Sequence, residues 1–318
     1  MGMRNRQWQR PLVSLCTVWL LTTANGRSTV AQPSERNLID AVKQGTAAST
    51  VARLLEEGAD VNASEPDGTT ALHWAVQADA HDTAQTLITA GARVHTANRY
   101  GVTPLVLAAT NGSANLVTAL LAAGAEPDAA TLGGDTPLMI AARTGRVDVI
   151  QRLLAAGAAV EATENWKGQT ALMWAAAEGN DEAVLTLIAA GADIEARSAG
   201  QLSPLHFGVR QGQAAAVSAL VSAGADVNAA TNDGTSPLVL SVINAHFELA
   251  KLLLDRGADP NLADPRGSVL HALAWIRRPG SGRPPLATGT LDSLDLARAL
   301  LDAGANPNSQ LNWREIPF

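Results

Sequence analysis

The pentapeptide Gly-Ala-Asp-Val-Asn at Gly58–Asn62 returns in recognisable form seven more times along the 318-residue chain. The Gly-Ala pairs begin at Gly58, Gly91, Gly124, Gly157, Gly191, Gly224, Gly257 and Gly304, which spaces them by 33, 33, 33, 34, 33, 33 and 47 residues. A period near 33 restricts the fold to a stacked solenoid, because one such unit cannot bury its apolar face alone and must lie against the next. Solenoids grow in one dimension, so the chain is expected to form one elongated domain rather than two globular ones.

Within a unit the residue types follow helix physics. A hydroxyl residue stands two places before an apolar anchor at Thr70/Leu72, Thr103/Leu105, Thr136/Leu138, Thr170/Leu172, Ser203/Leu205, Ser236/Leu238 and Ser268/Leu270. Each is an expected N-cap whose oxygen accepts from a free backbone N–H. Pro104, Pro137, Pro204 and Pro237 follow where a lost donor costs nothing. Gly112, Gly145, Gly179 and Gly212 end the first helix. A second helix then carries apolar residues at i, i+3 and i+4, as in Val117, Leu120 and Leu121 or Val184, Leu187 and Ile188. Asp79 and Ala245 stand where the other units have the inter-helix glycine, so those two turns are expected to be distorted. Helices of about ten residues are too short to persist alone in water, which makes stacking obligatory.

These features resemble the ankyrin-repeat family, whose Thr-Pro-Leu-His-x-Ala signature stands here as Thr70-Ala71-Leu72-His73-Trp74-Ala75 and Ser203-Pro204-Leu205-His206-Phe207-Gly208. The resemblance spans about residues 35–308. It implies an all-α repeat solenoid of about eight helix-turn-helix-hairpin units with a concave binding face. Residues 35–66 form an N-terminal cap repeat, 67–265 six internal repeats, and 266–308 a C-terminal repeat. The excess of the 47-residue interval falls in a Pro- and Gly-rich insertion at 277–290 between the last two helices, read as an exposed loop, and a tail at 309–318 closes the domain of residues 32–318.

The N-terminus has a different character. Arg4, Arg6 and Arg10 precede the apolar run at 11–24, and Thr29-Val30-Ala31 offers a small-residue exit. Residues 1–31 are therefore expected to be a cleaved signal peptide. Ala24-Asn25-Gly26 is an alternative exit and retention as an anchor the alternative fate. An exported protein would be periplasmic in a Gram-negative host and secreted otherwise. The single cysteine, Cys16, lies inside this leader, so no internal disulfide is expected after cleavage. Removing the leader takes away four arginines and no acid, leaving 19 basic against 30 acidic side chains, hence a net charge of −11. Such a balance disfavours nucleic acid and anionic membranes as partners.

No catalytic or metal constellation stands out in the sequence. His73, His206 and His271 recur in the slot after the anchor leucine, where the resemblance implies a structural hydrogen-bonding role, and His81, His95 and His246 lack a partner at ligand spacing. Asp60, Asp193, Asp226 and Asp259 recur in the Gly-Ala-Asp turn and are expected to bond local backbone N–H groups. No cofactor is expected. The resemblance places the hairpin tips and the end of the first helix on the concave face, where the chain offers Arg99, Tyr100, Arg143, Trp166, Lys167, Arg210 and Asp233. Aromatic residues and arginine are the types most enriched in binding hot spots. Trp74 and Trp174, one helical step from the anchors, are expected to pack.

The reading that follows is an exported, non-catalytic, monomeric module that holds a protein partner through its concave hairpin and first-helix face. The alternatives are a secreted effector or inhibitor acting on another cell's protein, a small-ligand-binding protein or enzyme with a site in the groove, and a purely structural stacking protein.

Overall fold

A computed structural model describes residues 33–262, 264, 267–276 and 289–309, with side chains described from residue 38 onward. The expected leader at 1–31, most of the insertion at 277–290 and the tail beyond Ser309 lie outside these residues. The described chain is helical throughout and contains no strand; an isolated antiparallel bridge joins Ser64 and Thr70. Helices alternate with extended hairpins: α1 (Pro33–Lys43), α2 (Ala48–Glu56), α3 (Ala71–Gln77), α4 (His81–Thr89), α5 (Pro104–Asn111), α6 (Ala114–Ala122), α7 (Pro137–Thr144) and α8 (Val147–Ala155) make the first half. The second half continues as α9 (Ala171–Glu178), α10 (Asp181–Ala189), α11 (Pro204–Gln211), α12 (Ala214–Ser222), α13 (Pro237–Ile243), α14 (Phe247–Asp255), α15 (Val269–Ile276) and α16 (Ser293–Asp302).

The caps fall where the hydroxyl residues stand. Thr103, Thr136, Thr170 and Ser236 accept from the N–H three residues on at 3.2–3.4 Å. Where histidine occupies that third position, its Nδ1 completes the cap. Thr70 N–H donates to His73 Nδ1 at 3.2 Å, Ser203 N–H to His206 Nδ1 at 3.4 Å and Ser268 N–H to His271 Nδ1 at 3.2 Å. The histidine thus reaches back to the cap as the glutamate of a capping box does, which is the structural role that the resemblance implied.

The two turns without glycine keep their geometry. Asp79 and Ala245 adopt the left-handed conformation at φ 53° and 59°, beside 69° at Gly112. Each preceding helix is seven residues long, one fewer than α5, yet the closing bonds match: Ala80 N to Ala75 O at 2.9 Å and His246 N to Ser241 O at 2.9 Å correspond to Ser113 N to Ala108 O at 3.0 Å. The expected distortion is absent, since both residues take the left-handed φ and the closing bonds form as they do at Gly112. Gln201 is a third such residue, at φ 58° in a hairpin slot that holds glycine at Gly68, Gly101 and Gly134.

The core runs through the whole stack, and its first helices add small residues to buried anchors such as Leu105, Leu138 and Leu172. First helices bury alanine pairs such as Ala108/Ala109, Ala141/Ala142 and Ala175/Ala176, whereas second helices bury Val117 and Leu120, Ile150 and Leu153, or Val184 and Leu187. Alanine lets backbones approach, so first helices pack more closely from repeat to repeat than second helices do. The array therefore curves toward its first-helix and hairpin side, which becomes the concave face.

Polar bonds fix the register between repeats. Asn62 at the end of the founding pentapeptide donates to Gly91 O at 3.3 Å and accepts from Arg93 N at 2.8 Å. Asn228 and Asn261 repeat the same two-way clip toward Gly257 and Asp259 and toward Gly304 and Asn306. The Asn261 clip spans the insertion, so the extra residues leave the stacking register intact. Asp60, Asp193, Asp226 and Asp259 accept from the N–H two residues on at 2.8–2.9 Å, as expected of turn residues.

Candidate functional site

Five hairpin tips are joined edge to edge by four backbone bonds. Arg99 N–H donates to Asp67 O at 2.7 Å, Leu132 to Tyr100 at 3.3 Å, Asn165 to Gly133 at 3.0 Å and Ala199 to Lys167 at 2.7 Å. This ladder holds the tips as a continuous rim beside the first helices. Glycine is needed where they touch, since a Cβ on Gly101 would lie 2.6 Å from Leu132 N. The rim exposes large apolar groups at successive tips: Tyr100 is 51 % exposed, Leu132 73 % and Trp166 74 %.

The expected site residues divide into local groups along this face. Arg99 and Tyr100 pair with each other, the guanidinium donating to the phenol oxygen at 2.6 Å and lying 4.8 Å from the ring centre. Lys167 lies over the Trp166 ring at 5.0 Å, and Arg210 over Phe207 at 4.9 Å. Burial, and next the nearby Arg210 charge, lower the Lys167 pKa from its ordinary value, so these two cations from adjacent repeats are held close together. Arg143 stacks on Trp174 of the next repeat at 5.3 Å. Asp233 differs in kind, because it bonds the Thr231 hydroxyl and accepts from Thr235 N–H at 3.4 Å, serving its own hairpin.

The two tryptophans at the anchor-proximal slot rest their rings on the core as expected, yet their N–H groups differ. Trp74 Nε1 donates to Glu65 at 2.8 Å, with the Lys43 ammonium bonded to the same carboxylate and 4.5 Å from the indole ring. Trp174 Nε1 and Arg143 Nε are both buried and have no hydrogen-bond partner. Sequence reasoning singled out Arg143 and missed its coupling to Trp174. The repeated slot showed where the tryptophans sit but not where each N–H points.

Histidine contributes no site on this face. His73 Nε2 meets Val102 O at 3.1 Å; His206 Nε2 is buried without a bonded partner, the Ala229 and Thr235 carbonyls lying near but outside bonding geometry. Burial, and next the Arg197 charge, push the His206 pKa down to about 4, and burial lowers that of His73. Among the described residues no group of three or more His, Cys, Asp or Glu side chains could hold a metal ion, and no helix is long and apolar enough to cross a membrane.

Comparison with known proteins places this geometry. The model of the ankyrin-repeat family matches three times, over residues 38–131, 125–198 and 197–264, which is more than half of the chain. The crystal structure of the human ASB11 ankyrin repeat domain is similar, with a TM-score of 0.62 and 26 % sequence identity, covering 70 % of this chain and 98 % of the solved domain. No curated protein matches the sequence.

Proposed function

The chain belongs to the ankyrin-repeat family, and on that premise we propose that it is an exported, non-catalytic module that holds a partner protein in the trough between its hairpin rim and first helices. Ankyrin repeats are generally protein–protein interaction modules. The observation that carries the reading for this chain is the row of exposed Tyr100, Leu132 and Trp166 on tips tied into one rigid edge. Aromatic groups held on a rigid support lose little freedom on binding, which favours affinity. The cations Arg143, Lys167 and Arg210 accompany that row on an otherwise acidic chain of net charge −7, a distribution suited to choosing among partners. The module acts as a monomer, does not take nucleic acid, and works outside the cytoplasm after its leader is removed.

Affinity capture from envelope extract with the full chain, beside a Tyr100→Ala/Trp166→Ala variant, tests this reading. A protein held by the first and lost with the second, at unchanged circular dichroism, is the expected result. Equal capture by both chains would overturn the concave assignment.

A further inference from the structure

The contrast between the two tryptophan sites has a traceable cause in the hairpins that precede them. Glu65 and Glu164 occupy the same hairpin position: Glu65 N bonds Thr69 O at 2.9 Å and Glu164 N bonds Gln169 O at 3.2 Å, the second pair being one residue further apart. In the first hairpin Asp67 caps the Thr69 N–H at 3.0 Å, so the Glu65 side chain remains available and reaches Trp74 and Lys43. In the later hairpin Lys167 stands in the Asp67 slot and cannot accept a bond. The extra residue also adds a backbone N–H to the loop. Glu164 turns inward to serve it, accepting from Trp166 N at 2.6 Å, Lys167 N at 2.7 Å and Gln169 N at 3.0 Å.

The consequence falls on Trp174. Its Nε1–H and the stacked Arg143 Nε–H are left as buried donors without an acceptor, although a buried N–H that loses its partner costs the full desolvation of the group. The Glu65–Trp74–Lys43 cluster shows, within the same chain, which acceptor fits a tryptophan N–H with a cation over its ring. That acceptor is a carboxylate.

We infer that the Trp174–Arg143 site on the concave face receives a Glu or Asp side chain from an extended segment of the partner polypeptide, which completes there the cluster that Glu65 completes internally at Trp74. The inference rests on the protein-binding reading above and adds the chemistry of the partner. Charge complementarity supports it, because Lys167 and Arg210 lie on the same stretch of the face and raise the local potential for an anion. A polypeptide is the source because the neighbouring Trp166 offers exposed apolar surface for the residues that flank the carboxylate.

The test uses the full chain and an array of random 15-residue peptides, each beside a copy in which every Glu and Asp is replaced by Gln and Asn. Bound peptides should be acidic, and their amide copies should bind about tenfold or more weakly, the loss expected for a hydrogen bond to a charged group. Trp174→Phe keeps an aromatic ring in the slot but removes the N–H, and should abolish that preference. Tyr100→Ala should weaken acidic and amide copies alike. In spectra of 15N-labelled indoles, an acidic peptide should move the Trp174 N–H signal, assigned from Trp174→Phe, and leave that of Trp74 in place. Binding that ignores the acid-to-amide change, or an acid preference that survives Trp174→Phe, would overturn the inference and leave the groove reading standing. Glutarate moving the Trp174 signal as far as the peptide does would overturn the polypeptide source. Binding of no peptide, together with no captured protein, would overturn both readings.

Discussion

Gly91 and Gly101 provide a sharp test of the hairpin ladder, because both take a positive φ and differ in surroundings. Gly91 has φ 89° and a Cβ added there would meet nothing within 4 Å. Gly101 has φ 74°, and its Cβ would stand 2.6 Å from Leu132 N and 3.1 Å from Thr131 C, both backbone atoms of the next hairpin. An alanine at positive φ costs about 1–2 kcal/mol, offset by about 0.4–1 kcal/mol from the stiffer unfolded chain. Gly91→Ala should therefore lower stability by about 0.5–1 kcal/mol. Gly101→Ala bears the same local cost and must also push the next hairpin away. That movement breaks the Leu132 N–H bond to Tyr100 O, a loss of about 1 kcal/mol, and disturbs packing at the interface, with overpacking costing about 1–3 kcal/mol. The expected total is about 2.5–5 kcal/mol. Urea unfolding followed by circular dichroism measures both midpoints. Equal losses would show that the tips do not touch and would refute the ladder.

Other consequences follow from burial and backbone strain. Leu187→Ala empties a fully buried position of α10 and should cost about 2–5 kcal/mol, so an unchanged urea midpoint would reject the assigned stacking register. Gln201→Gly relieves φ 58° and should stabilise by about 0.5–1 kcal/mol; a loss of stability would mean that the side chain contributes more than the strain costs. Folding disfavours the protonated form of His206, whose pKa falls from 6.5 to about 4. The unfolded chain then binds more protons, so this contribution to stability is complete above pH 6.5 and is lost as the pH falls toward 4. The full loss is on the order of 3 kcal/mol. Urea midpoints at pH 7 and pH 5 should differ more in wild type than in His206→Gln, and an equal separation in both chains would refute this account.

Much of the architecture was legible because one-dimensional stacking repeats the same local physics at a fixed interval. Thr103 before Pro104 announced a helix start, and Gly112 its end, from residue chemistry alone. The exceptions needed the structure. Nothing local in Asp79 or Ala245 says that the turn survives without glycine, yet both close with the same bond as the glycine turns. The role of Asn62 was equally hidden, since its two bonds reach residues 29 and 31 positions ahead. On the concave face the sequence listed candidates such as Tyr100, Trp166 and Arg143 but could not group them. Asp233 appeared among them although its carboxylate serves the local turn.

The sequence by itself determined the period, the helix caps and the apolar spacing of the second helices, because each depends on contacts within one unit or on its repetition. Only the tertiary structure decided that Glu65 reaches Trp74 whereas Glu164 turns back into its hairpin. Both glutamates occupy the same slot, and the outcome hangs on whether Asp67 or Lys167 stands across the loop to satisfy the backbone. A polar side chain bonds whichever donor is left unserved, and that competition is settled in three dimensions.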